Sequence, residues 1–307
     1  MTASLDGGAR WRVCPASGRG FASQAAACRG QVPTGWFHGW VPDVSSTTAT
    51  PSGLRLGQAR ARRWWVSRRI GSIERAAQFV GDVGFAVLFP SPRLASPSLW
   101  EAVAGEDAEP FAAGMGASEQ KVWAWKDELP RRGLAWYGSF LANRGTLLSP
   151  ELLAALYQGE GTADDHESLP LSATAHEVAH ALAGEPLTSA TLRGLIGDRA
   201  RYQRAVAELQ RQLLVTTAGV QESRHGWPSA LLTLTCHRFD VGGGHDPAQA
   251  ATRFLDTLLE ATPGELARAF GWPVPQARRH LDDLVSAGRA VSRSDPARYL
   301  TRPGAPA

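Results

Sequence analysis

Two stretches in the C-terminal half of the chain share one grammar, and that repetition limits the fold more than any other feature. Residues 171–219 run "LSATAHEVAHALAG", "EPLTSATLRGLIG" and "DRARYQRAVAELQRQLLVTTAGV": helix, turn, helix, turn, helix, then β-rich residues. Residues 246–302 repeat the order with "DPAQAATRFLDTLLEA", "TPGELARAFGW" and "PVPQARRHLDDLVSAGRAVSR". In both, a short second helix is entered through Pro-Leu-Thr-Ser or Thr-Pro-Gly, and the third helix runs into β residues. That order is the signature of a winged helix, which presents its third helix to a partner, most often a DNA groove.

The two third helices, expected near residues 199–213 and 273–287, differ on their outer faces. In the first, Tyr202, Val206, Leu209 and Leu213 recur at i, i+4, i+7 and i+11 and form one apolar stripe. Arg201, Arg204 and Arg211 lie opposite, with one acid, Glu208. This is a DNA-facing surface by expectation. In the second, Val274, Ala277, Leu281 and Leu284 make the stripe, while Gln276 and Arg279 share the outer face with Asp282 and Asp283. Two acids repel phosphates, so DNA contact here is expected only at the helix N-terminal end and at the wing arginines Arg289 and Arg293. The same module is also a candidate for contact with a protein partner.

At 307 residues the chain has room for two or three small domains, and 43% hydrophobic with 20% charged residues is ordinary globular composition. The longest apolar run, "FAVLFP", is too short to cross a bilayer, so no membrane association is expected. The early Asp6 and the lack of an apolar segment argue against a secretory signal. Three scattered cysteines, Cys14, Cys28 and Cys236, fit free thiols in a reducing cytoplasm.

The net charge of +3 divides unevenly: residues 1–70 hold 10 Arg against 2 Asp, and the remainder is mildly acidic. Dense, nonspecific attraction to nucleic acid is therefore not expected of the folded part. Lys121 and Lys126 are the only lysines, an Arg bias that points to a GC-rich bacterial genome rather than to phosphate binding.

Residues 1–55 show neither helical nor strand periodicity and are read as a disordered extension or as sequence upstream of a mis-assigned start. From residue 56 to 158 a helical or winged-helix-like domain is expected. "GQARARRWWVSRR" reads as a basic helix with a solvated Arg face, "SIERAAQFVGDVG" as a Ser-capped helix, and "FAVLFP" as a short buried strand. "SPSLWEAVAG" and "SPELLAALYQG" are further capped helices, and "QKVWAWKDELP" and "RRGLAWYGSFL" read as helices or turns. Asp127 and Glu128 are expected in surface salt bridges with Lys126 or Arg131. The acidic residues 159–168 read as a linker, 169–240 and 246–303 as the two winged helices, and Gly242-Gly243-Gly244 as a hinge between them.

His176-Glu177-Val178-Ala179-His180 matches H-E-x-x-H, the pattern of a zinc metallopeptidase helix. The helix's apolar stripe, Leu171, Ala175, Val178 and Leu182, puts both histidines on the opposite, solvated face. No third-ligand motif follows. No metal is expected, and zinc peptidase stands as an alternative only.

"GDVGFAVLFPSPRLASPSLWEAVAG", "WKDELPRRGLAWYG" and the two winged helices together resemble the AlkZ/YcaQ-type winged-helix proteins, over about residues 60–302. These are bacterial DNA glycosylases and their relatives, some of which unhook DNA crosslinks. The resemblance implies a Gln-x-Gln or Gln-x-Asp pair after a Gly-aromatic pair, and lays it on Gly84-Phe85-Ala86-Val87-Leu88-Phe89-Pro90, with Val87 and Phe89 at the catalytic positions. Valine and phenylalanine can neither position water nor stabilise a cationic sugar. Gln210-Arg211-Gln212 repeats the letters in a third helix, away from that place.

The expectation is a mainly α fold with small β-wings (α+β), built of tandem winged helices. It is read as a DNA-binding protein of repair or regulation, acting on duplex, damaged or branched DNA, divergent from the glycosylases and without a cofactor. No catalytic residue is assigned. An active glycosylase on damaged or crosslinked bases is the leading alternative.

Overall fold

The computed structural model describes residues 51–302 apart from 66–68, 92–93, 107, 113, 223–227 and 295–296. Residues 1–50 lie outside the described residues; of the extension expected over 1–55, residues 51–55 are instead the start of a helix. One order of elements occurs three times.

The first copy starts after a helix, α1 (Pro51–Trp64), and consists of α2 (Ile73–Val83), β1 (Phe85–Val87), α3 (Leu99–Ala104), α4 (Ala117–Arg131), β2 (Trp136–Ser139) and β3 (Gly145–Leu148). Then follows α5 (Pro150–Leu156). The second copy is α6 (Ala173–Ala181), β4 (Leu187–Thr188), α7 (Ser189–Ile196), α8 (Arg199–Arg211), β5 (Val215–Gln221) and β6 (Ser229–Leu234). The third is α9 (Pro247–Leu258), β7 (Glu260–Ala261), α10 (Pro263–Phe270), α11 (Val274–Ser286), β8 (Ala290–Ser294) and β9 (Ala297–Thr301). Each copy folds its strands into an antiparallel three-stranded sheet with the last strand in the middle: β1-β3-β2, β4-β6-β5 and β7-β9-β8.

This is winged-helix architecture, mainly helical with small sheets. The third helices span 199–211 and 274–286, close to the expected limits. Local chemistry explains the helix starts. Ser72, Ser98, Ser149, Ser172, Thr188, Asp198 and Thr262 each accept a hydrogen bond from a backbone N–H in the first turn of the helix they precede. Thr262 and Glu265 complete a capping box at α10.

Four expectations change. "RRGLAWYGSFL" is not helical: Trp136–Ser139 is β2, because its apolar residues face a sheet and Leu141–Asn143 turns the chain back into β3. Val274 is exposed at 48% and does not belong to the α11 stripe; Ala277, Leu281 and Leu284 carry it. Residues 159–168 are not a free linker, since Asp165 and His166 are buried there. Gly242 is no hinge: its Cα lies so close to the Glu160–Gly161 backbone that a Cβ could not be placed.

One apolar core runs through all three copies, from Phe85, Trp136 and Leu153 through Leu182 and Leu209 to Phe254, Phe270 and Leu281. Phe254 stacks on Phe85 with ring centroids 5.7 Å apart, and Phe270 sits 6.0 Å from Phe140. The first and second sheets meet at β2 and β5. There Thr216 Oγ1 donates to the Tyr137 carbonyl (3.0 Å) and accepts from the Tyr137 N–H (3.3 Å). Trp136, fully buried, donates its indole N–H to Thr235 Oγ1 at 3.1 Å. Lys126 and Asp127 pair at 2.6 Å beside this contact, and burial pushes the Asp127 carboxyl above its ordinary range against the pull of Lys126. Glu128 pairs with Arg131 and Arg132, as expected of a helix-surface acid.

Among the described residues no helix is long and apolar enough to cross a membrane.

Candidate nucleic-acid interface

The third helix of the second copy, α8, is fixed from three sides. Tyr202, Ala205 and Leu209 are buried. Glu208 accepts from the Ser172 N–H (2.8 Å) and Oγ (2.6 Å), tying α8 to the start of α6. Gln210 Oε1 accepts from the Ser139 N–H at 2.9 Å, tying its last turn to β2. Gln210, the first residue of the Gln-x-Gln letters, therefore serves packing.

What α8 leaves outward is cationic. Arg201, Arg204 and Arg211 are all exposed. Arg201 donates to Thr174 Oγ1 at 3.0 Å, a neutral partner. Among the described residues, Arg204 and Arg211 make no side-chain hydrogen bond or ion pair. Glu208, the one acid within α8, has both oxygens engaged by Ser172 and faces α6. The outer face of this helix can thus offer three guanidinium groups to an anionic partner without first breaking an internal ion pair.

The residues expected on the third copy lie on a different helix and wing. Arg279 is exposed and Gln276 half-buried near the start of α11, while Arg293 is exposed and Arg289 half-buried on β8 and its approach. Asp282 Oδ1 accepts from the Tyr299 hydroxyl, which draws one of the two acids of α11 towards its own wing. Burial, then the bond to Asp282, pushes the Tyr299 phenol up.

The positions that the family pattern would make catalytic are apolar, Val87 buried and Phe89 half-buried. Val87 is 1% exposed in β1, and its N–H donates to the Pro97 carbonyl at 3.0 Å. The Phe89 ring packs 4.9 Å from Phe111 and 5.9 Å from Trp100. Neither position carries a polar side chain to water or to a sugar.

In the H-E-x-x-H helix, Ala175, Val178 and Ala179 are buried, His180 and Glu177 are exposed, and His176 is half-buried. Sequence reasoning missed a third imidazole: buried His166 lies 5.9 Å from His176, ring to ring, while its Nδ1 pairs with the Ala163 carbonyl at 2.9 Å. Nothing in the spacing of residues 166 and 176 announces that neighbour. Even so, no group of three or more His, Cys, Asp or Glu among the described residues is arranged to hold a metal ion. Among the described residues the zinc-peptidase alternative therefore finds no ligand set.

The basic helix α1 also departs from the expected solvated face. Arg60 donates to the carbonyls of Leu258 (2.7 Å) and Glu260 (3.1 Å), and Arg63 to that of Asp82 (2.9 Å). These arginines close the ends of other helices. Burial lowers the Arg60 guanidinium from its usual range, opposed by Glu265 and Glu260.

Residues 70–270 match the family described as AlkZ related. Among solved structures, the chain is similar to Streptomyces sahachiroi DNA glycosylase AlkZ, with 15% identity and a TM-score of 0.48 over 80% of this chain and 69% of that one. No curated protein matches the chain.

Proposed function

The chain belongs to the AlkZ-related family, and from that membership we propose that it is a DNA-binding protein of bacterial DNA repair or regulation that has given up glycosylase chemistry. The observation that carries this reading is the outward face of α8, where Arg201, Arg204 and Arg211 stand exposed without an acidic partner among the described residues. A winged helix docks by its third helix, and guanidinium groups there reach phosphates or the base edges of a groove. Gln276 and Arg279 of α11, with Arg289 and Arg293 of the third wing, are the secondary contacts. The mild acidity beyond residue 70 makes the affinity modest, and the counterions released by each Arg–phosphate contact make it salt-dependent. Two apolar residues at the family's catalytic positions, Val87 and Phe89, support binding without base excision. The reading carries with it a cytoplasmic location.

The test is duplex binding at low salt by the wild type and by Arg201→Ala/Arg204→Ala/Arg211→Ala. The buried side of α8 is untouched, so the variant should fold. Each phosphate left without its guanidinium should lower the slope of log K against log salt by about one. A folded triple variant with unchanged affinity and slope would remove α8 as the reader. Release of bases from alkylated or crosslinked duplex by the wild type would overturn the non-catalytic half of the proposal.

A further inference from the structure

A second cluster of arginines lies on the first copy, away from α8. The end of α1, the chain at 69–70, one face of α2 and the end of α3 enclose a hollow of about 290 Å³, at the small end of ligand-sized pockets of about 300–1,000 Å³. Arg63, Arg69 and Arg75 line it together with Trp65 and Glu101. Trp65 stacks on Phe79, with centroids 5.6 Å apart and planes at 17°, and meets Trp64 edge-on at 6.2 Å. The indole is thereby held rigidly in the wall.

The cations are poised in the same way. Arg69 rests against Gly105, whose φ is +104°, and a Cβ there would come within 3.1 Å of the guanidinium. Among the described residues neither Arg69 nor Arg75 makes a side-chain hydrogen bond or ion pair, although Asp82, Glu101 and Glu106 line the same hollow. Glu101 is held by the Ser98 hydroxyl at 2.5 Å, and burial pushes its carboxyl up. Arginines and carboxylates that share a hollow without pairing leave room for a molecule that brings both an anion and hydrogen-bond donors. A rigid indole in the wall selects for a planar ring.

We propose that this hollow binds a single phosphorylated nucleotide, with the phosphate on Arg69 and Arg75, the base against Trp65, and base N–H donors towards Glu101. The nucleotide is either free or the 5′-phosphorylated end of a strand. This site does not depend on DNA binding by α8.

The experiment is calorimetric titration of the full chain with adenosine 5′-monophosphate, with adenosine, with inorganic phosphate, and with a short single strand carrying or lacking a 5′-phosphate. Arg69 and Arg75 are exposed, so Arg69→Ala and Arg75→Ala should fold as the wild type does. Saturable binding of the mononucleotide or of the 5′-phosphorylated strand is expected. Each single variant should weaken it about tenfold, the worth of one charge-assisted hydrogen bond, and Arg201→Ala/Arg204→Ala/Arg211→Ala should leave it intact. Binding of the 5′-phosphorylated strand without the mononucleotide identifies a strand end as the ligand, binding of the mononucleotide without the strand identifies the free molecule, and binding of both supports a site for the nucleotide from either source. No saturable binding of either, binding unaffected by Arg69→Ala/Arg75→Ala, or phosphate binding as tightly as the nucleotide would each overturn the proposal. If the α8 variant loses duplex binding but keeps nucleotide binding, the two sites are separate. If wild type binds duplex and no nucleotide, only this inference fails.

Discussion

Asp165 shows how a residue in an apparently featureless stretch can organise the chain around it. Its carboxylate accepts from the N–H groups of Glu160 (3.0 Å), Gly161 (2.9 Å) and Thr162 (3.1 Å), from the Thr162 hydroxyl (3.0 Å) and from the Tyr157 hydroxyl (2.7 Å). Burial pushes the carboxyl up, but the bonds from Tyr157, Thr162 and the backbone outweigh it, and the net shift is downward. A carboxylate depressed in the folded state adds stability above its unfolded value, near pH 4, and loses it as pH falls through its own lower value. Asp165→Ala should therefore cost about 2–4 kcal/mol at neutral pH, since hydrogen bonds to charged groups contribute about 1.5–3 kcal/mol each. Urea unfolding checks this, and the gap between wild type and variant should narrow in acid; a gap independent of pH would deny the carboxylate this role. The turn is held down by the crossing of two chain segments, where a Cβ on Gly161 would run into the Val241 carbonyl. In sequence, residues 159–168 are mostly Gly, acidic and small polar residues, the composition of a linker. The donors to Asp165 are mostly backbone groups, and the segment that buries the turn is about 80 residues away in the chain, so no local pattern could mark it.

At the scale of elements, the features that were legible are those that repeat within one helix. Tyr202 and Leu209 of one stripe and Ala277, Leu281 and Leu284 of the other are buried as their spacing required, whereas Val206 is half-buried and Leu213 is buried beyond the end of α8, at a positive φ. The outward placement of Arg201, Arg204 and Arg211 follows from the same period. What closes the helix ends was not legible. Arg60 of α1 donates to the Leu258 carbonyl at the end of α9 and to the Glu260 carbonyl in β7, 198 and 200 residues later, and Arg253 of α9 donates to the Gly81 and Asp82 carbonyls at the end of α2. A cation on the last carbonyls of a helix answers both its unpaired acceptors and its dipole. Burial lowers the Arg253 guanidinium, with nearby Arg63 adding to the effect, so its bonds must offset a desolvation cost. Arg253→Leu should destabilise the protein by about 1.5–3 kcal/mol, the worth of a charge-assisted bond, and should raise amide exchange in the last turn of α2. Unchanged exchange at Val83 and Gly84 would mean that the arginine packs there without capping. The first copy was legible only coarsely, as a helical or winged-helix-like domain. Its β1 has three residues, and 12 residues separate α3 from α4, so the grammar that is plain in the other two copies is stretched here.

For the whole molecule, one core is shared by all three copies, although the first also closes a core of its own around Phe79, Leu99, Val122 and Leu147. Phe254 and Phe270 of the third copy pack against Phe85 and Phe140 of the first, and Phe270 also meets Trp272 at 5.0 Å. Trp136 of the first copy binds Thr235 beyond the second sheet. Separately folding winged helices would melt one by one; a core held in common predicts one cooperative transition, with calorimetric and van't Hoff enthalpies equal. Phe270→Ala provides the sharper test. Truncating a buried Phe costs about 3–5 kcal/mol, and because the ring joins the third copy to the first, the substitution should lower the melting temperature of the entire described unit while keeping a single transition. Two resolved transitions in the wild type, with Phe270→Ala shifting only one, would show that the copies unfold independently. Cooperativity of this kind bears on the proposed docking. The Gln210–Ser139 bond links α8 to the first sheet, so α8 would meet DNA as part of one rigid body, with the arginines held at fixed spacing rather than gathered on contact.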